Sequence, residues 1–477
     1  MPNVNYVREE VVKARKIWQL IDDCVAGEQQ IKSKTQDYLP MPVAESDNGQ
    51  MLARYASYLK RAMFYNVTAR TLDGLVGQVF SKDQTIELPE NIDRYADNID
   101  GAGTSLEQQS KLALQTVLAK GHGGLLADFP NNQGFVSRAE IESNLIRPRV
   151  LNIDPEDIIN WRMQTVGGES LLSLLVIEEE KIVEDDGFEF DKEYRWRVFR
   201  LLNGEEGYQV EVSLWKAPGE DFETTEDFYV EEGPSIMTDY SGSPLQRIPF
   251  EFMGSTNNEP VIDKAPMLDL ANMNIAHYRN SADYEESLFL VGQPTLVISG
   301  LTQDWADKNI NGKVILGSRS AITLPKDARA EMLQPHPNVM PKEGMEHKEE
   351  QMKAVGAKLI EPNFSKVTAT EVLMEAASES SILTSTADNV SAAYRKVLMH
   401  MGMFVSETTL DEINFALNTD YTVTSMTAQD RQQLVAEWQG GLITWEEARE
   451  GLRTAGVATE ENEVARTKVE TIDADLI

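Results

Sequence analysis

Four short motifs carry residue types that could bind an oxyanion, a nucleotide or a metal ion. GHGG at 121–124 is similar to the oxyanion-hole loop of esterases, but the chain has no G-x-S-x-G turn to supply a nucleophile. GAG at 101–103 lacks the third glycine of a dinucleotide-binding turn, and NGK at 311–313 lacks the upstream glycine of a P-loop. His347 precedes a lysine and two glutamates without the spacing of a zinc site. We therefore predict no active site, no metal and no cofactor, and interpret GHGG as a helix end followed by a buried strand.

The charge of the chain limits its partners. The 477 residues include 44 Lys and Arg against 78 Asp and Glu, which gives a formal net charge of -34 at pH 7. Such a surface repels nucleic acid, so any DNA contact should be weak or confined to a few residues; the plainer alternative is that the acidity serves solubility.

Cysteine content and hydropathy indicate the compartment. Cys24 is the only cysteine, which excludes a disulfide framework and a Cys-based zinc site. The charged N-terminus lacks the apolar segment of a signal peptide, and the most apolar stretch, 288–301, is too short to cross a membrane. We expect a soluble protein of a reducing compartment.

The order of elements predicts an α+β protein of two or three packed units. Apolar residues at helical spacing predict helices over 5–35, 51–80 and 103–120. From about 150 to 260 the apolar period becomes two, with NGEEG at 203–207 as a hairpin loop. This alternation predicts an antiparallel sheet with one face in water.

A helix, a small insert and a returning helix follow. Residues 264–291 predict a helix of roughly 42 Å, ended by Gly292 and Pro294. Strand-like PTLVIS, KVILG and AITLP occupy 294–325, and 341–361 is helical again. Because a compact insert joins the two helices, we expect them to lie side by side and antiparallel.

A polar loop then separates the returning helix from a very long one. Pro362 cannot continue a helix, and Thr368 with Glu371 forms a capping-box pattern. The apolar stripe beyond it predicts one helix from about 369 to 406, roughly 57 Å long. A helix of that length suggests packing against copies of itself. The tail at 427–457 predicts two short helices about Gly440 and Gly441, the second beginning at a Thr444 and Glu447 capping box.

This order of elements, with several local stretches, resembles the portal proteins of tailed bacteriophages. The stretches lie at 70–83, 121–130, 270–300 and 352–371, with weaker support at 438–456. The resemblance covers about residues 40–457 and is to a branch typical of short-tailed phages, often left as a domain of unknown function. It implies the phage portal fold, with long stem and wing helices, an antiparallel wing sheet and a small mixed α/β clip.

The resemblance also implies a role for each segment. Residues 1–263 correspond to the arm and wing, 264–291 to the first stem helix, 292–338 to the clip and 339–358 to the second stem helix. Residues 359–368 correspond to the tunnel loop, 369–419 to the long wing helix, and 420–477 to the crown and tail. In the tunnel loop, the residues implied to face DNA are Asn363, Phe364, Ser365 and Lys366. In the clip, the residues implied to contact terminase or adaptor are Asp304, Lys308, Lys313 and Arg319.

Family members form rings, usually of twelve subunits, at one capsid vertex, through which double-stranded DNA enters and leaves. The implied partners are further copies of the chain, the major capsid protein, the terminase large subunit and a head-to-tail adaptor, with no membrane. The implied location is the virion, and the host cytoplasm during assembly. Two alternatives stay open, a different head-to-tail ring component such as an adaptor, and a phage enzyme with an unrecognised site.

Overall fold

The computed structural model describes the chain in several stretches and divides it into two compact units. The units are Met1–Asn418 and Thr419–Ile477. The described residues are 4–41, 49–130, 146–183, 187–204, 207–217, 228–292, 295–303, 305, 324–333, 339–359, 381–421, 428–454, 458 and 466.

Within these stretches the architecture is mixed α+β with antiparallel sheets, as predicted. The helices are α1 Glu9–Ala26, α2 Glu28–Ser33, α3 Gly49–Arg61, α4 Val67–Val79, α5 Glu90–Asp93, α6 Leu106–Lys120, α7 Leu268–Val291, α8 Met340–Lys358, α9 Ile382–Met403, α10 Ala428–Gln439 and α11 Trp445–Thr454. The strands are β1 Thr85–Glu87, β2 His122–Asp128, β3 Arg149–Ile153, β4 Ile158–Val166, β5 Glu169–Val183, β6 Asp191–Gly204, β7 Gly207–Lys216, β8 Tyr229–Ile236, β9 Phe250–Gly254, β10 Thr295–Ser299, β11 Arg329–Leu333 and β12 Asn414–Ala416.

The GHGG motif is a helix end and a buried strand, as predicted. Gly121 ends α6 in the left-handed conformation (φ 74°), and its N–H donates to the Val117 carbonyl. A Cβ there would lie 2.9 Å from the Lys264 carbonyl oxygen. A Cβ on Gly124 would lie 2.2 Å from the ring of Phe250 on the neighbouring strand. Only glycine therefore allows these close approaches.

The strand that follows is the centre of a three-stranded sheet in the order β3-β2-β9. Every residue of β2 is buried. Helix α9 packs on β2 and β9, and its Tyr394 hydroxyl donates to Gln109 of α6 at 3.3 Å. The sheet and the two helices form the main core of the first unit.

A five-stranded antiparallel sheet lies beside this core, in the order β4-β5-β6-β7-β8. The predicted hairpin is present, with Asn203 opposite Tyr208 in the β6–β7 ladder. One face of the sheet contributes Trp196 and Val198 to an apolar cluster with Val4 and Phe228.

The prediction that the other face of this sheet lies in water is wrong for its inner half. Arg195 and Phe199, on that opposite face, are 4% and 1% exposed. The arginines that alternate with apolar residues form largely buried ion pairs. Arg195 binds Glu231 at 2.7 Å, and Arg197 binds Asp128 of β2 at 2.9 Å.

Three predicted helices are shorter than the sequence indicated. The helix expected over 5–35 breaks at Gly27, which adopts φ 92°. The stretch 51–80 forms two helices, because Asn66 caps a new one by accepting from the Ala69 N–H. Before Ile382, Ser381 has an extended backbone and accepts from the Thr384 N–H as an N-cap. A helix therefore begins at Ile382 and ends at Met403, so the prediction of one continuous helix from 369 to 406 is wrong. Residues 360–380, with the Thr368–Glu371 capping box, lie outside the described residues.

The second unit contains α10 and α11 as predicted. The Thr444 hydroxyl accepts from the Glu447 N–H at 3.1 Å, and the Glu447 carboxylate accepts from the Thr444 N–H at 2.7 Å. This reciprocal capping box holds the start of α11.

His122, the first residue of β2, is a buried polar side chain inside the main core. Its ring lies 5.6 Å from Phe252 and 5.9 Å from Trp161, between centroids. Neither ring nitrogen has a hydrogen-bond partner among the described residues. Burial lowers the pKa of this imidazole to about 4, because the charged form would lose its hydration.

This pKa predicts a pH-dependent loss of stability. An unfolded histidine titrates near 6.5, so the unfolded chain binds a proton between pH 6.5 and 4 that the folded chain does not. Stability is therefore full above pH 6.5 and falls as the pH drops toward 4. His122→Phe should remove on the order of 2 kcal/mol of that loss between pH 7 and 4.5, measured by urea denaturation. The exposed control His347→Phe should show the same dependence of stability on pH as the wild type. If His122→Phe loses stability with falling pH as steeply as the wild type, His122 is not the source of that loss.

Candidate functional site

The candidate site is the helix–hairpin unit, which we define as α7, β10, β11 and α8. His277 Nε2 of α7 lies 3.4 Å from Glu349 Oε1 of α8. Three residues further along α7, Asn280 lies against Gly344, where a Cβ would be 2.8 Å from its Nδ2. Residue numbers therefore rise along one helix as they fall along the other. The helices pack side by side and run antiparallel, as predicted.

The inner turns of α7 are held by a buried amide. Asn274 is 0% exposed, and its Oδ1 accepts from the N–H groups of Val67 and Thr68 at 3.0 and 3.1 Å. Its Nδ2 donates to the Tyr65 carbonyl at 2.8 Å. The first N–H groups of a helix have no partner within that helix, so Asn274 caps α4 from a different element. Together with the Asn66 cap, this amide satisfies the first turn of α4.

The middle turns of α7 are tied to the same N-terminal region. The Ser281 hydroxyl accepts from the Met63 N–H at 3.1 Å. One turn further, the Tyr58 hydroxyl donates to Asp283 at 2.7 Å, and Arg61 pairs with Glu286. The Arg61 guanidinium also lies 4.2 Å from the centre of the Phe289 ring. Helix α3 thus fixes the direction in which α7 leaves the core.

Beyond these contacts the helix–hairpin unit leaves the core and exposes apolar side chains. They lie on the last turns of α7, on both strands of the hairpin and at the start of α8. Each is between 41% and 71% exposed: Leu288, Phe289, Leu290, Val297, Met332, Leu333, Val339 and Met340. A concentration of exposed apolar surface at one end of a protruding element is typical of a protein-binding surface.

His277 is a buried titratable side chain between the two helices of the unit. Burial lowers the pKa of His277, partly opposed by its hydrogen bond to Glu349, so the ring stays neutral between the helices. Among the described residues, no group of three or more His, Cys, Asp or Glu could hold a metal ion. No helix within the described stretches is long and apolar enough to cross a bilayer.

The structure confirms part of the predicted insert. The strand-like PTLVIS forms β10, which pairs antiparallel with β11, as in Val297 opposite Glu331. Strand β11 was missed, although Ala330 and Met332 alternate there with charged Arg329 and Glu331. KVILG and the first three residues of AITLP lie outside the described residues.

All eight residues predicted to act at a site also lie outside the described residues. They are Asp304, Lys308, Lys313 and Arg319 of the insert and Asn363, Phe364, Ser365 and Lys366 of the polar loop. Their roles stay predictions. Sequence reasoning assigned no role to Asn274, because its partners are some 200 residues away and no local pattern marks them.

The comparison with protein families concerns the same part of the chain. The family model described as "Domain of unknown function (DUF4055)" matches residues 266–405, which contain the helix–hairpin unit and α9. No curated protein sequence matches the chain. Among solved structures, a chain described as "Virion of native gene transfer agent (GTA) particle" is 14% identical. The match covers 85% of this chain and 94% of that one, with a TM-score of 0.41.

The Asn274 network predicts a large and specific destabilisation. Asn274→Leu keeps the side-chain volume but removes the acceptor of the buried Thr68 N–H and hydroxyl. It also removes one partner each from the Val67 N–H and the Tyr65 carbonyl, which keep only their bond to each other. We expect the free energy of unfolding to fall by at least about 2 kcal/mol. The matched control Asn272→Leu, exposed two residues earlier on α7, should change it by less than about 0.5 kcal/mol. Equal effects of the two substitutions in thermal or urea unfolding would show that the amide is not structurally important.

Proposed function

We propose that the protein is a phage portal protein, a ring of twelve copies at one capsid vertex. The observation that carries the proposal is the antiparallel helix pair α7 and α8, anchored at one end and exposing apolar side chains at the other. Neighbouring copies around a ring would cover apolar surface that one copy leaves in water. The proposal also accounts for the predicted order of a helix pair, a polar loop and a further long helix. This order is part of the resemblance of the sequence to portal proteins.

In this proposal the ring conducts double-stranded DNA during packaging and ejection. Twelve copies at -34 each would carry a formal charge of -408. Phosphates, one per ~1.7 Å of duplex axis, would be repelled by such a wall rather than held by it. The acidity therefore suits a passage through which DNA slides.

The predicted segments take their places within this ring. Residues 362–367 of the polar loop would line the channel, where Lys366 gives a band of positive charge that touches phosphates weakly. The insert would contact the terminase large subunit and the adaptor, through Asp304, Lys308, Lys313 and Arg319. Hydrolysis of ATP would belong to the terminase, since this chain has no P-loop pattern.

The first test is assembly. Negative-stain electron microscopy of the purified protein should show closed rings with a central channel. Native mass spectrometry should give a mass that is a whole multiple of 53.4 kDa. A protein that is only monomeric at micromolar concentration would contradict the proposed function.

The second test concerns the polar loop. Replacing 362–367 by Gly-Gly should leave rings and procapsids intact and impair packaging or retention of DNA, measured as the DNA content of particles. Lys366→Glu should have a milder effect in the same direction. Lys13→Glu makes the same charge change on α1, at a side chain that is 78% exposed, and should package DNA normally. Loss of ring formation, or full genomes with the shortened loop, would show that the loop does not act on DNA.

A further inference from the structure

The β5–β6 hairpin extends beyond the core that supports the five-stranded sheet. Trp196 and Val198 on one face of β6 are 3% and 2% exposed. On the same face, Tyr194 and its diagonal neighbour on β5, Ile182, are 55% and 53% exposed. The apolar stripe of the hairpin therefore continues outward after the packed core ends.

The outer part of this hairpin is called the hairpin tip, defined as residues 180–183 and 187–194, and it is both aromatic and acidic. Phe188 is 95% exposed and Phe190 is 51% exposed. These residues contain four Asp or Glu against two Lys. Large aromatic side chains surrounded by charged ones are a common composition for the centre and rim of a protein interface.

A groove of about 500 Å³ lies at the other end of the same sheet, between the β4–β5 turn and α9. Six apolar residues of its lining are half-buried or exposed: Met163, Leu171, Leu172, Met399, Met403 and Leu410. This composition, long flexible side chains around an open depression, suits an inserted aromatic side chain.

The rim of the groove is poor in acid compared with the rest of the chain. Arg247 and Lys396 line it, with side chains 59% and 49% exposed, and Glu251 is the one acidic residue among those that line it. Arg247 pairs with Glu169 at 2.6 Å and Lys396 with Glu251 at 3.4 Å. Exposed pairs of this kind contribute little energy and exchange partners readily. The rim therefore complements the charge of the hairpin tip.

The two surfaces cannot meet within one copy of the chain. Leu172 of the groove and Ile182 of the tip are ten residues apart on the single strand β5, which is about 33 Å at ~3.3 Å per residue. Because β5 is hydrogen-bonded to β4 and β6, the distance between the groove and the tip is fixed. The tip can therefore fill only the groove of a different molecule.

We propose that the hairpin tip of one copy binds in the groove of the next copy. The contact is heterologous, since tip and groove are different surfaces, and repetition closes a ring when the rotation between copies is suitable. The inference rests on the proposed function, and it identifies the contact between neighbouring subunits of the proposed ring. Phe188 and Phe190 supply the buried anchors, and Arg247 and Lys396 bind the acidic rim of the tip.

Two variants with opposite defects test the contact. Phe188→Asp with Phe190→Asp removes the anchors of the tip. Met163→Glu with Leu410→Glu places acid in the groove at positions 41% and 37% exposed, which the fold tolerates. Each variant alone should be monomeric by native mass spectrometry. A 1:1 mixture should give a dimer of one copy of each, because one intact tip and one intact groove remain.

A matched control changes exposed apolar residues elsewhere. Val12→Asp with Leu112→Asp, at positions 49% and 53% exposed on α1 and α6, should assemble like the wild type. The mixed dimer itself shows that both tested variants are folded.

Cross-linking gives a second readout. Since Cys24 is buried and the only cysteine, Phe190→Cys with Met399→Cys introduces the reactive thiols. Oxidation should join copies into a covalent ladder, whereas Leu112→Cys with Met399→Cys should not.

The outcomes separate the contact from the proposed function. If both variants alone still form wild-type rings, or their mixture forms no dimer, the proposed tip–groove contact is wrong. The proposal that the protein forms a ring is then unaffected. If the mixture dimerises but the wild type forms open filaments, the contact holds and the portal proposal fails. A wild-type chain that stays monomeric overturns both.

Discussion

The amide of Asn274 is the interaction on which the position of the candidate site depends. It joins the middle of α7 to the start of α4, two elements that are about 200 residues apart in the chain. A buried amide must find partners for both its oxygen and its nitrogen, so only one arrangement of the two helices satisfies it. Ser281 and the pairs of Asp283 and Glu286 then continue the same alignment outward. The direction of the protruding helix pair is thus set by polar contacts in the N-terminal region.

A second buried polar contact joins the two larger sheets. Asp128, at the end of β2, has a side chain 7% exposed and binds Arg149 of the adjacent strand and Arg197 of β6. Two guanidinium groups on one carboxylate offset the cost of removing its charge from water. Because Arg197 belongs to the five-stranded sheet, this carboxylate fixes that sheet against the main core. The hairpin tip and the groove, at the two ends of β5, are oriented by the same contact.

Features decided by neighbouring residues could be predicted from the sequence. The Thr444 capping box, the hairpin at 203–207 and the antiparallel helix pair follow from local chemistry or from the shortness of a connection. Features decided by distant residues could not. The face of the sheet that carries Arg197 was expected in water, because nothing near it in sequence reveals Asp128. Likewise the break before Val67 depends on Asn66 and on Asn274. The predicted channel and clip residues stay untested, since they lie outside the described residues.

The pairing of β1 with β12 bears on how the chain is made on the ribosome. Ile86 lies opposite Phe415, whose ring centre lies 5.1 Å from that of Tyr394 of α9. Strand β1 therefore has no strand to pair with until residue 416 has been synthesised, and until then Tyr394 of the main core lacks its contact with Phe415. Contacts of such high sequence separation form late, because the chain between them must first be ordered. A nascent chain consequently cannot complete its first unit until nearly the whole polypeptide has been synthesised.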